Sequence, residues 1–156
     1  MVDFFVQNGG ILFAVLGAIL AAALSGVGSA RGVGHVGQGA AAIVIDDPAK
    51  FGQSLILELL PGTQGLYGMI IAIIVMVTKF DMALPLQEGV RVFLSCLPIA
   101  IVGYASAIHQ GNVAYAGLEI LAKNESQSMK GVIYAVMVET YAILAFIISL
   151  IFVFAA

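Results

Sequence analysis

Four long apolar stretches separated by short polar breaks organise this chain. No charge interrupts positions 4–30, 59–78 or 92–118. Past Lys130 a single charge, Glu139, interrupts the apolar run to Ala156. About 20 apolar residues cross the hydrocarbon core of a bilayer as a helix, so the pattern predicts four membrane-spanning helices, near 10–45, 52–78, 89–122 and 129–155. The breaks carry turn formers: Asp46-Asp47-Pro48-Ala49-Lys50, then Lys79-Phe80-Asp81 through Pro85 to Glu88, then Lys123-Asn124-Glu125-Ser126-Gln127. Each is short enough to join antiparallel neighbours. The first span is expected to stay in the mature protein, because its leader carries Asp3 in place of a basic cluster and it is too long for the core of a signal peptide.

Composition agrees. With 62% hydrophobic and 10% charged residues and a mean hydropathy of +1.10, the chain has too little polar surface to cover a water-facing domain, and lipid is its solvent. The net charge of −3 is spread thinly. No basic patch exists for nucleic acid or for docking on anionic lipid. One cysteine, Cys96, forms no intrachain disulfide, and no two histidines stand at metal-ligand spacing,. There is neither a nucleotide-binding loop nor a nucleophile constellation, so the chain by itself is expected to hydrolyse nothing.

With an even number of crossings, both termini lie on one side and the 46–50 and 123–130 loops on the other. Arg31, Lys50, Lys123 and Lys130 outnumber Lys79 and Arg91. The positive-inside tendency therefore puts those two loops in the cytoplasm and both termini outside.

The chain also repeats itself. Ala30-Arg31-Gly32-Val33 lies against His109-Gln110-Gly111-Asn112, and at the same offset Phe51-Gly52 lies against Lys130-Gly131. Two positions are then lost from the offset, and the run from Pro61 to Ile70 lies against the run from Val138 to Ile147, small on small and aliphatic on aliphatic. The expected fold is an all-α membrane protein of four transmembrane helices in two tandem hairpins, residues 1–80 and 81–156. In that alignment Gly62 stands opposite Glu139, so the second hairpin carries an intramembrane carboxylate that the first has lost.

Small residues recur along the first helix at Ala14, Ala18, Ala21, Ser25, Gly28 and Gly32, and along the third at Gly103, Ala107, Gln110, Ala114 and Gly117. Such stripes let helix backbones approach closely in lipid. They serve either packing within one chain or packing between subunits on the crowded inner wall of a ring.

Glu139 is flanked by Tyr134-Ala135-Val136-Met137-Val138 and Thr140-Tyr141-Ala142-Ile143-Leu144, nine positions from Lys130 and seventeen from Ala156. A charge at that depth costs about 2.5–3.5 kcal/mol, so the group takes up a proton or binds a cation. Leu60, Thr63, Gln64 and Tyr67 fall at i, i+3, i+4 and i+7 on one face of the second helix,. Pro61 lacks an N–H and disturbs the local ladder, which frees a carbonyl to turn toward a ligand, with Leu60 C=O the candidate. Gln64 lies fifteen positions from Lys79, Glu139 seventeen from Ala156, and Gln110 nineteen from Arg91. At ~1.5 Å per residue these depths agree within about one helical turn. Three helices thus bring two amides, a hydroxyl, a carbonyl and one carboxylate to one level. A proton carrier needs only the carboxyl group, whereas a hard monovalent cation stripped of water needs several neutral oxygens around one charge, so the surplus points to Na+. H+ is the alternative, with Gln64 and Gln110 hydrogen-bonding a protonated Glu139. A small four-helix cation/proton exporter is a further alternative, although the chain has no Trp for an aromatic cage,.

At these residues the chain resembles the tandem-hairpin proteolipid, or K subunit, that forms the rotor ring of sodium-translocating V-type ATPases. The resemblance covers nearly the whole chain. It rests on the tandem hairpins, the Leu-Leu-Pro-Gly-Thr-Gln-Gly-Leu-Tyr-Gly run at 59–68, the Gln-Gly pair at 110–111 and the Met-Val-Glu-Thr-Tyr-Ala run at 137–142. It implies that Leu60 (through its carbonyl), Thr63, Gln64, Gln110 and Glu139 ligate sodium, and that Tyr67 bonds and closes over the Glu139 carboxylate. It implies identical subunits in a ring, a central stalk seated on the cytoplasmic loops, and a static membrane subunit that supplies an arginine at unloading. No arginine of this chain is expected near the depth of Glu139. His35 and His109 are read as flanking helix ends. Glu58, about 120° around the helix from Gln64, is read as a near-interface or inter-subunit acid and not as a ligand.

Overall fold

The computed structural model describes residues 2–156, with side chains from residue 8 onward; Met1 and the side chain of Asp3 lie outside the described residues. The unbroken apolar sequence winds into helix α1 (Val2–Asp46). It stops where Pro48 cannot continue it: Asp47 turns extended, at φ −143° and ψ 92°, and its Oδ1 accepts the Ala49 N–H at 3.1 Å,. After one 3₁₀ turn at Pro48–Lys50 come α2 (Phe51–Leu59), a second 3₁₀ turn at Leu60–Gly62 and α3 (Thr63–Thr78). The chain then runs through α4 (Leu86–Lys123) and, past a 3₁₀ turn at Glu125–Gln127, through α5 (Ser128–Ala155). No strand occurs among the described residues.

Four segments are long and apolar enough to cross a membrane: Asn8–Asp46, Pro48–Thr78, Leu86–Lys123 and Glu125–Ala155. These are the four expected spans within a few residues. The second is α2 and α3 in succession, so Pro61 does more than disturb the ladder: it converts one turn to 3₁₀ geometry. Large aliphatic and aromatic side chains point outward, among them Ile73, Ile133, Leu144 and Phe152, and small ones point inward. That inside-out distribution suits a lipid environment or neighbouring membrane helices.

The two hairpins pack through α1 and α4, which lie parallel and in register. Gly10 meets Gly89 and Gly32 meets Gly111, both at the first offset of the sequence repeat. The small-residue stripes are consumed here. A Cβ on Gly28 would stand 2.6 Å from Tyr104 O, and one on Gly32 would stand 2.5 Å from Ala107 O. Packing within the chain is thus one role of the stripes.

Backbone polarity is satisfied by short side chains. Next to Pro98 in α4, the Ile99 N–H donates to Ser149 Oγ at 3.1 Å, and Ile99 O accepts from Ser25 Oγ at 3.0 Å. The interior divides into two apolar clusters. One gathers Ile71, Val75, Val92, Ile99 and Val153; the other gathers Val36, Leu57, Leu118 and Leu121. Between them lies a polar layer.

The basic residues correct two expectations. α1 continues fifteen residues past Arg31, and α4 continues fourteen past His109. Neither His35 nor His109 therefore flanks a helix end. His35 stacks on Tyr115 at 4.5 Å. Arg31 is the neighbour of Gly32, which packs on Ala107 and Pro61, so its backbone does lie close to the depth of Gln110. Its guanidinium goes to the outward side of α1, where Nη1 donates to Tyr104 OH at 2.6 Å and the group covers the tyrosine ring. A helix has faces as well as depth, and counting charges along the sequence treats it as having depth alone.

Candidate ion-binding site

Glu139 is 8% exposed, and Gln64 and Gln110 are fully buried. α5 holds Glu139 at the seam with α3 and α4. Its Oε1 accepts from Tyr67 OH at 2.6 Å, and its Oε2 accepts from Gln110 Nε2 at 3.3 Å. Both oxygens are thus engaged as acceptors, one by each neighbouring helix. The Tyr67 ring is steadied by Phe146, with centroids 5.4 Å apart.

The network continues through the amides. Gln110 Oε1 accepts from Gln64 Nε2 at 2.5 Å, which leaves Gln64 Oε1 facing Thr63 Oγ1 at 3.4 Å. The Thr63 hydroxyl has one proton for two acceptors, Gln64 Oε1 and the nearer Leu60 O at 3.1 Å, and that carbonyl receives the Thr63 backbone N–H as well,. Gln64, Gln110, Glu139 and Tyr67 are therefore linked in one chain of hydrogen bonds, and Thr63 and Leu60 adjoin its Gln64 end. No direct bond joins the Leu60–Thr63 end to the carboxylate; the two amides span the gap.

Pro61 is central to this geometry. Within the turn Thr63 reaches back to Leu60 O, the same i−3 bond that Thr140 makes to Met137 O in α5. The same turn leaves the Gly65 N–H to donate across to Ser29 Oγ at 2.8 Å. A buried N–H without a partner would be costly, and α1 supplies the acceptor.

Two contributors escaped sequence reasoning. Ser106 Oγ accepts from Gln64 Nε2 at 3.3 Å and donates to Val138 O at 3.1 Å. Its only signal is position, one turn before Gln110 on the same face of α4. Ser29 lies beside the small-residue stripe and nothing distinguishes it there. Glu58 turns away from the site to lie over Gly37 of α1, where a Cβ would meet its Oε1 at 2.7 Å.

Among the described residues, no three His, Cys, Asp or Glu side chains come together. The donor set is one carboxylate with neutral carbonyl, amide and hydroxyl oxygens. That chemistry suits a hard cation of low charge and offers a transition metal neither nitrogen nor sulfur.

The family model for the C subunit of ATP synthase matches this chain twice, over residues 16–75 and 93–152. The chain belongs to the ATP synthase C-subunit family. One match falls on each hairpin. Their starts and their ends are displaced equally, from 16 to 93 and from 75 to 152, and the same displacement carries Gly62 onto Glu139. Relatives agree with the assignment. The chain is 50% identical to the V-type sodium ATPase subunit K of Enterococcus hirae, covering 98% of each chain. It is 36% identical to the A-type ATP synthase subunit K of Methanocaldococcus jannaschii, over 90% of this chain and 61% of that protein. It is 26% identical to the V-type proton ATPase 16 kDa proteolipid of Ovis aries, over 89% of each.

Proposed function

We propose that this chain is a rotor-ring subunit of a V-type ATPase and that it carries Na+ on Glu139, with Leu60 O, Thr63, Gln64 and Gln110 as the neutral ligands and Tyr67 closing the site. One observation carries the reading. A single buried carboxylate accepts from the Tyr67 hydroxyl of α3 and the Gln110 amide N–H of α4, and through that amide it is connected to the Gln64 amide, beside which lie the Thr63 hydroxyl and Leu60 O. A family likeness to a sodium ATPase subunit supports it.

Electrostatics supply the mechanism. Na+ on ionised Glu139 makes a neutral complex, which passes lipid cheaply, whereas an empty charged carboxylate does not. Occupancy therefore gates rotation. The loaded ring turns with the central stalk, and a static membrane subunit offers an arginine that discharges the site. Arg31 of this chain is committed to Tyr104, which leaves that task to a partner. Neutral ligands add selectivity: they strip and replace the water of Na+, a service H+ does not need. Identical copies, each divided into hairpins at 1–80 and 81–156, surround the axis, with the 46–50 and 123–130 loops cytoplasmic and both termini outside.

Carbodiimide labelling tests the reading, because the reagent attacks the protonated carboxyl. In purified complex Glu139 is the carboxylate labelled. Millimolar Na+ protects it, and more strongly as pH rises, because H+ and Na+ compete for one group. Labelling at Glu58 with Glu139 spared would overturn the site assignment. Absence of protection at every pH would leave the amides as a hydrogen-bond network around a proton site.

A further inference from the structure

We propose that Ser106 is a positioning residue for ion selectivity: its hydroxyl sets which end of the Gln64 amide faces the ion. This rests on the cation-site reading above.

The hydroxyl has one proton, and Ser106 spends it on Val138 O at 3.1 Å, the carbonyl immediately before Glu139. Its oxygen can then only accept toward Gln64. It therefore faces the amide nitrogen, at 3.3 Å, and excludes the amide oxygen. The amide is planar, so Gln64 Oε1 must point the opposite way, toward Thr63 Oγ1 and the Leu60 carbonyl. That is the direction from which a cation would use it.

The role becomes decisive when the ion binds. Gln64 Nε2 now has two acceptors, Gln110 Oε1 at 2.5 Å and Ser106 Oγ at 3.3 Å. A cation that recruits Gln110 Oε1 takes the first away. Ser106 then remains as the acceptor for the fully buried amide. Without it, the Gln64 NH₂ is left unpaired or the amide flips, presenting N–H groups to a positive charge. Neither consequence touches the carboxyl itself, so H+ binding is spared. Ser106 also ties three helices at one point, because Gln64 belongs to α3, Ser106 to α4 and Val138 to α5.

The test compares purified rings carrying Ser106→Ala, Gln64→Leu and the pair. Alanine is small and a good helix former, so the Ser106→Ala ring assembles. The reading is the Na+ concentration that half-protects Glu139 from carbodiimide, together with the pH profile of labelling without Na+. Ser106→Ala should raise the half-protecting concentration about tenfold, the cost of one unmet buried donor, and leave the sodium-free pH profile in place. In the Gln64→Leu background the same substitution should add less than about twofold, because its target is gone. A full tenfold effect in both backgrounds, an equal shift of the pH profile, or no change in the single mutant would each overturn the assignment. Failure of Na+ to protect the unmutated ring would overturn the cation-site reading and this proposal with it, an outcome distinct from protection that Ser106→Ala leaves unchanged.

Discussion

The first hairpin contributes neutral atoms to the site and the second contributes the charge. In the first, the span after α1 breaks at Leu60–Gly62 and so offers a carbonyl, a hydroxyl, an amide and the Tyr67 phenol. In the second, α5 runs unbroken and brings Glu139, while Gln110 of α4 bridges the two sides. In the proposed cation site neither half would serve alone. A carboxylate without Leu60, Thr63 and Gln64 retains one charge and too few oxygens, and the neutral set without Glu139 has nothing to balance a cation. On the proposed reading the two hairpins divide the work, with one site carboxylate for every four crossings.

The largest expected effect removes the charge from the second hairpin. Glu139→Gln is nearly isosteric and keeps the oxygen that accepts from Tyr67, so the ring assembles with its normal mass. The bound cation has lost its counter-charge, so ATP-driven ion flux in reconstituted vesicles should fall to background. Flux surviving in that variant would mean that the neutral half suffices, and the division of labour would be broken as an idea.

Cutting the bridge has a smaller effect. Gln110→Leu removes the amide bridge between the halves, spares the Tyr67–Glu139 and Gln64–Ser106 bonds, and leaves the Gln64 amide and Glu139 Oε2 each short of a partner. At roughly 1–3 kcal/mol per lost buried partner, Na+ affinity should weaken about tenfold or more. H+ binding should change much less, because the carboxyl remains. Half-protecting Na+ concentrations at two pH values would measure both. Equal weakening for the two ions would show that Gln110 supports the carboxylate and has no separate role toward the metal.

Much of this division is written in the residues. Glu139 is legible because nothing else in its run is charged, and Thr63, Gln64 and Tyr67 because their spacing puts polar groups on one face of an otherwise apolar helix. Gln110 follows from counting depth. Ser106 is not legible, because an isolated serine in an apolar helix looks the same whether it bonds its own backbone or a buried amide. The stripes of α1 and α4 announce close packing, but small residues carry no label for their partner. Arg31 and His109 mislead for a related reason: a basic side chain suggests a helix end or a depth near the interface, and α1 and α4 run on past both residues. Pro61 signals a disturbed ladder; the 3₁₀ turn and the Ser29 acceptor that repairs it depend on what α1 places opposite.

The smallest effects come from two glycines that differ in what surrounds them. Gly32 sits where α1, α4 and the Pro61 turn converge. A Cβ there would stand 2.5 Å from Ala107 O and 2.7 Å from Pro61 Cβ, so Gly32→Ala forces backbones apart and should cost about 1–3 kcal/mol. A lower thermal disassembly temperature of the purified ring would report it. Gly62 occupies the place of the missing carboxylate, and its backbone is right-handed, at φ −80° and ψ −22°. An added Cβ would meet only Val33 Cγ2, at an ordinary 3.6 Å. Nothing in the chain demands glycine there, and alanine restricts the unfolded chain, so Gly62→Ala should leave disassembly temperature and sodium protection unchanged or gain a few tenths of a kcal/mol. A loss comparable to that of Gly32→Ala would mean that something outside this chain presses on Gly62. The first hairpin would then have traded its carboxylate for close contact with a neighbour, and the difference between the hairpins would belong to assembly as much as to ion binding.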